Sequence, residues 1–193
     1  MASKAAAKTP SPAKVVPTPA KSAAGAKGRK DACDLLDADH KAVKAMFKEY
    51  KTLTEARGRT SAKRRQLADK ICRELTIHTT LEDEIFYPAT RKAIKDNPLM
   101  NEASVEHASA KELIAQIRGM DPGDEMFDAK VTVLGEYIDH HVKEERTEMF
   151  PKVRKTRLDL VKLGEQLELR KQVLMTEETA SKSAVANTSA MQA

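Results

Sequence analysis

Apolar residues recur every three or four positions along most of the chain, and no stretch keeps the strict alternation of a half-buried strand. The first stripe, Cys33, Leu36, His40, Val43, Phe47 and Tyr50, predicts a helix from about Asp31 to Arg57, with Gly58 as its stop. A second helix is expected to start near Ser61 as N-cap and to carry Leu67, Ile71, Leu75, His78, Glu82 and Ile85 until Pro88 breaks it. After a short helical piece, Asp96, Asn97 and Pro98 read as a turn. The third helix presents Met100, Ala103, His107, Ala110, Ile114 and Ile117, and Asp121, Pro122 and Gly123 close it. The fourth aligns Phe127, Val131, Leu134, Ile138, His141, Glu145 and Met149 and ends at Pro151. A further helix, from about Val153 to Met175, mixes Val161, Leu163 and Leu167 with many charges and is expected to pack along the outside. The fold this implies is all-α: an up-down antiparallel four-helix bundle over residues 31–155, an additional C-terminal helix at 156–175, and a disordered end at 176–193.

The anomaly is that each bundle helix carries a histidine in the middle of its core-facing stripe. The chain is also an internal duplication. HTTLEDEIFYP, residues 78–88, aligns without gaps to HVKEERTEMFP, residues 141–151, each with Glu four and Pro ten places after the His. Upstream, DADHKAVKAMFKEYK around His40 matches SVEHASAKELIAQIR around His107, each with an acid directly before the His. Residues four apart share a helix face, so His78 with Glu82, and His141 with Glu145, can each reach one point in the bundle centre. Burying four imidazoles and two carboxylates unpaired costs about several kcal/mol each. Two divalent ions remove that penalty, because neutral imidazole and ionised carboxylate are the forms a metal takes up. A carboxylate from each half can then bridge the ions while His40, His78, His107 and His141 cap them. This donor set favours iron over manganese or zinc. His140 heads a competing pair with Glu144, but the stripe and the repeat both select His141 and leave His140 flanking the site. Tyr87 and Tyr137 are candidates for supporting it, and Glu84, Glu144 and Glu148 are expected in solvent or behind the ligands.

Charge changes the picture only at the N-terminus. The net charge of +5 hides a segment, residues 1–30, with seven Lys or Arg and no acid; the rest of the chain carries 27 basic against 29 acidic side chains. That Lys/Ala/Pro-rich segment has almost nothing to bury and is expected to be a disordered tail able to make weak nucleic-acid contacts through phosphates. Cys33 and Cys72 are far apart and read as small buried residues in a reducing, cytoplasmic setting. No apolar run approaches the roughly 18 residues of a membrane span.

The set His40, His78-x3-Glu82, His107, His141-x3-Glu145 resembles the hemerythrin family's HHE cation-binding domain over about residues 31–155. The resemblance implies a four-helix bundle around a bridged, non-haem di-iron centre with these six residues as ligands. Oxygen-carrying members have His-x3-His on the third helix, whereas Lys111 stands four places after His107 here. The chain is therefore similar to the four-His, two-Glu subgroup. What this implies is a protein that binds or senses O2, NO or peroxide, or handles iron and redox state. An enzyme with peroxidase- or ferroxidase-like activity is the alternative, although no separate general acid, nucleophile or substrate motif is visible. An interaction protein whose basic tail is gated by the bundle is a third reading.

Overall fold

The computed structural model describes residues 30–56 and 60–190, with side chains as far as 180. The expected tail, and the expected stop at Arg57 and Gly58, lie outside the described residues. Among the described residues there is no strand. Helix α1, Ala32–Glu55, opens on a reciprocal cap: Asp34 N–H donates to Asp31 Oδ1 at 2.9 Å, and the Asp34 carboxylate accepts from the Asp31 backbone. Helix α2, Ser61–Leu81, has Thr60 rather than Ser61 as N-cap, without a side-chain bond. A five-residue π turn, Glu82–Phe86, joins it to α3, Tyr87–Ile94. Helix α4, Asn97–Gly119, is capped by Asp96, which accepts from Leu99 N–H, so the expected turn also starts the third bundle helix. Helix α5, Phe127–Glu144, continues through a second π turn, Glu145–Met149, into α6, Phe150–Arg154. Last comes α7, Leu160–Ala190, which is longer than the 156–175 expected and runs through residues read as a disordered end.

Helices α1 and α2 pack together, as do α4 and α5, and α1 against α5 with α2 against α4 closes the ring. The bundle stripes pack as predicted with two exchanges: Met46 is buried on α1 while Phe47 lies half-buried at the edge, and Phe86 is buried while Ile85 is only partly so. Two apolar clusters fill the bundle. One holds Val43, Ile71, Ile114, Phe127 and Leu134; the other holds Leu36, Leu81, Phe86, Met100 and Met149. Between them lies a layer of buried polar side chains. Cys33 and Cys72 are buried free thiols, pushed by burial up to about 12 and about 11. No helix among the described residues is long and apolar enough to cross a membrane.

Helix α7 docks on α1, α2 and the first π turn through Leu163 and Leu167. It comes close at Gly164, where an added Cβ would stand 3.1 Å from the Ala32 nitrogen and 3.2 Å from the Lys30 oxygen. Backbone cannot step aside as a side-chain tip can. Gly164→Ala is therefore expected to lift α7 and destabilise the fold by roughly 1–3 kcal/mol, read as a lower urea midpoint at unchanged slope.

Candidate metal centre

The repeated His-x3-Glu-x5-Pro segments fold alike, and not as simple helix ends. Neither Pro88 nor Pro151 stops its helix. Each sits at the start of the next α segment, after a π turn that begins at the repeated glutamate. Tyr87 N–H reaches back five residues to the Glu82 carbonyl, and Phe150 N–H does the same to Glu145. Proline lacks the N–H that the α pattern needs and crowds the preceding turn; the wider turn accommodates it without breaking the rod. The glutamates thus project inward from the one place in each rod where the helical repeat is altered.

All six histidines and glutamates of the repeat converge in the polar layer. Glu82 is 0% and Glu145 1% exposed, and the four imidazoles are buried. The Nε2 atoms meet in pairs, His40 with His78 at 2.8 Å and His107 with His141 at 3.2 Å. Each glutamate lies between the pairs. Glu82 Oε2 is 3.1 Å from His78 and 3.3 Å from His107, while Glu145 Oε2 is 3.3 Å from His40 and 3.8 Å from His141. Donors bound at about 2.1 Å to one ion stand roughly 3.0–3.4 Å apart at octahedral or tetrahedral angles, so most of these spacings match the edges of a coordination shell. Both Glu82 oxygens and Glu145 Oε2 have no hydrogen-bond partner despite complete burial. An orphaned buried carboxylate is a large penalty that a cation relieves. His40, His78, Glu82 and Glu145 could hold one ion, and Glu82, His107 and His141 another.

Tyr87 completes one side. Its hydroxyl donates to Glu145 Oε1 at 2.9 Å and stands 3.1 Å from His107 Nε2 and 3.3 Å from His141 Nε2. Burial, with the charges of Glu82 and Glu145, pushes the phenol well above its ordinary value, so it is a donor here. Its repeat counterpart Phe150 stacks on His40 at 6.0 Å between ring centres.

Behind the imidazoles stand carboxylates. Asp83 faces His107 Nδ1 at 2.9 Å, Glu106 faces His141 Nδ1 at 2.7 Å, and Asp39 lies 3.8 Å from His78 Nδ1, an ion-pair rather than hydrogen-bond distance. Cations back the first and last: Lys111 pairs with Asp83, and Lys171 of α7 pairs with Asp39 at 2.5 Å. Burial by itself would pull the imidazoles down. The Glu82 charge, then Asp39, overturns this at His78 and raises it to about 10; Asp83 and Glu82 raise His107 to about 9. Glu106 and then Glu145 lift His141 in the same direction. Burial likewise opposes ionisation of Glu82, but His78 and His107 hold it well below the usual carboxylate range. The layer is a trap for positive charge, whether protons or metal.

Of the supporting residues expected from sequence, Tyr87 is within the cluster. Tyr137 is 50% exposed, because it lies one residue off the α5 stripe that buries Ile138 and His141. His140 is also exposed, 3.5 Å from Glu106 and 3.4 Å from Glu144, and touches the centre only through Glu106. Lys111 reaches it only through Asp83. Sequence reasoning did not assign Asp39, Glu106, Asp83 or the two π turns. The acids before His40 and His107 were visible as a repeat, yet each serves the histidine of the following bundle helix, which only the packing reveals.

Residues 31–153 match the family described as the hemerythrin HHE cation binding domain. A crystal structure of a hemerythrin HHE cation binding domain-containing protein from Mycobacterium kansasii superposes with a TM-score of 0.62 at 22% identity, covering 77% of this chain and 89% of that one. A Nostoc protein named DNA nickase is 26% identical over 121 residues, which is 63% of this chain and 33% of the relative, so the match spans about a third of that protein's length.

Proposed function

Because this chain belongs to the hemerythrin family, by its HHE cation-binding domain, we propose that the buried layer holds two iron ions and that the protein uses them to bind or sense O2, NO or peroxide. In this reading His40 and His78 hold one ion and His107 and His141 the other, with Glu82 and Glu145 between them. The observation that carries it is the pair of buried glutamates, three of whose four oxygens lack a hydrogen-bond partner, each glutamate set between imidazoles from both halves. Bound iron would supply redox chemistry and the affinity for a small ligand. The chain's own residues do the rest. Asp83 and Glu106 hold the Nδ1 protons and fix which nitrogen faces inward. Tyr87 orients Glu145, and the two apolar clusters exclude bulk water. Lys111, in the position of a further histidine in oxygen carriers, is tied up by Asp83 at the surface, which favours sensing or redox handling over reversible carriage.

A second reading is contact with DNA. It rests on the nickase name of the Nostoc relative and on the seven cations and no acids of residues 1–30. Two thirds of that relative lie outside the match, so its name bears on the bundle only if the bundle itself cuts DNA.

One preparation tests both. The chain produced with iron and purified without chelator is expected to contain about two irons per molecule by elemental analysis, and to leave supercoiled plasmid uncut. A content near zero sinks the metal reading; nicked circles that disappear on iron removal replace sensing with metal-dependent DNA chemistry.

A further inference from the structure

The two halves of the repeat differ behind one histidine. The alignment equates Asp83 with Arg146, Lys111 with Lys44, and Tyr87 with Phe150. In one half the Asp83 carboxylate fills the space behind His107, bonded to its Nδ1 and paired with Lys111. In the other half, Arg146 offers His40 no acceptor. Lys44 turns to Asp139 at 2.8 Å, and Arg146 to Asp37 at 2.7 Å. Nδ1 of His40, a residue 95% buried by its 5% exposure, is left without a hydrogen-bond partner. Where the other half has its Lys–Asp pair, this half has a cavity of about 650 Å3 between α1 and the α5 rod, with His40 at its inner wall. Lys41, Lys44, Lys143 and Arg146 line it, against Asp139 alone among acids.

We propose that this cavity binds a small oxyanion whose charge Arg146 and Lys143 meet, and that a small turn of the His40 ring, whose Nδ1 is closed to solvent as it stands, lets one oxygen accept the Nδ1 hydrogen. The inference rests on the metal reading in one respect: an ion on Nε2 leaves the imidazole proton on Nδ1. Charge favours an anion. Even when Asp37 is counted with Asp139, cations exceed acids by two. Among the described residues Lys143 has no carboxylate within ion-pair distance, and the Arg146 fork suits a trigonal or tetrahedral oxyanion better than the single oxygen of Asp37 that it now meets. The volume admits phosphate with several waters. A neutral ligand would leave the cations unanswered, and a metal would be repelled by them.

The consequence is an input to the centre. In three imidazoles of the set, a carboxylate of the chain stands behind Nδ1. At His40 that acceptor would come from solution. An acceptor there strengthens the imidazole as a donor through its other nitrogen, so occupancy of the cavity is read by the metal position that His40 serves.

Isothermal titration of the metal-loaded full chain with inorganic phosphate, against chloride at equal ionic strength, tests this. One saturable site is expected. Arg146→Ala should weaken it about tenfold or more. Arg146→Asp, which restores the acid found at position 83, should abolish it; Arg146→Lys should keep most of it. Arg146 is about half exposed, so these variants keep the fold, and Lys143→Glu gives an independent exposed site with the same expected loss. Isotherms in Arg146→Ala and Arg146→Asp equal to the parent would place the phosphate elsewhere, on the N-terminal lysines or the metal, and overturn the proposal. Metal content measured on the same samples separates the failures. Two irons per chain without phosphate binding overturns the oxyanion site alone; a metal-free sample overturns the metal reading and this site with it.

Discussion

Glu82→Gln is expected to empty both metal positions. Its Oε2 stands 3.1 Å from His78 and 3.3 Å from His107, one imidazole from each pair, so one carboxylate serves both halves of the cluster. Glutamine keeps the volume, and the surrounding cores should stay packed. What it removes is one of only two negative charges in the layer, and it turns one end of the group into a donor aimed at the ions. The loss should exceed the roughly 10–100-fold typical of a residue behind a ligand, and should appear at both positions. The reading is two irons per chain in the parent and near zero in the variant, with unchanged far-ultraviolet circular dichroism. Retention of one ion would assign Glu82 to a single position and overturn the expectation that it would hold both. Glu106→Gln provides the scale: it touches only His141, through Nδ1, and should weaken one position.

Removing the metal should reverse the pH dependence of stability. In the metal-free protein His78 is raised to about 10 and His107 to about 9, and His141 moves the same way. A raised imidazole contributes stability in full below its unfolded value of about 6.5, and that contribution is lost as pH climbs through the folded value. The lowered Glu82 describes the same attraction from its other partner, so its contribution is not added again. The metal-free Tm should therefore fall between pH 6.5 and 9.5, on the order of 10 °C for a chain of this size. With metal bound, the sign changes. Protons compete with the ions for the imidazoles, so the loaded form gains as pH rises from 6 and loses metal as it falls. Thermal melts across this range with and without chelator should cross. A metal-free Tm that is flat or rising from pH 6.5 to 9.5 would show that these imidazoles do not hold protons in the folded state.

The buried His/Glu layer was legible because two signals coincide in its residues. His78 and His141 lie on apolar stripes, where a histidine has no reason to be, and the repeat places the same glutamate four residues beyond each. Helical period alone then puts them in the bundle centre. Pro88 misled because a proline after an aromatic residue reads as a helix end; the π turn that lets the rod continue depends on the i+5 bond of Tyr87, which no stripe encodes. Asp83 was hidden for a related reason. It sits among three consecutive acids, and the altered helical repeat turns it, rather than Glu84, toward His107, while Glu84 goes outward to Arg170 of α7 at 2.7 Å. Helix α7 was legible as a helix but not as a participant. Lys171 looks like any surface lysine until α7 is docked beside Asp39. The length of α7 escaped because residues 176–190 carry no apolar stripe to mark them.

The paired prolines and glutamates describe a structure close to a twofold axis, and its departures from that axis are as informative as the axis itself. A bundle assembled from two identical hairpins would have to place the same side chain at 83 and at 146, and the same ring at 87 and at 150. A carboxylate at both would seal both flanks, and an arginine at both would open both. Carrying the two hairpins on one chain lets each address hold a different residue, so the buried layer has one flank backed by an Asp–Lys pair and bearing a phenol, and one flank bordered by a cavity and bearing a phenyl. The molecule thereby has a front and a back, which no homodimer of the half-unit could have.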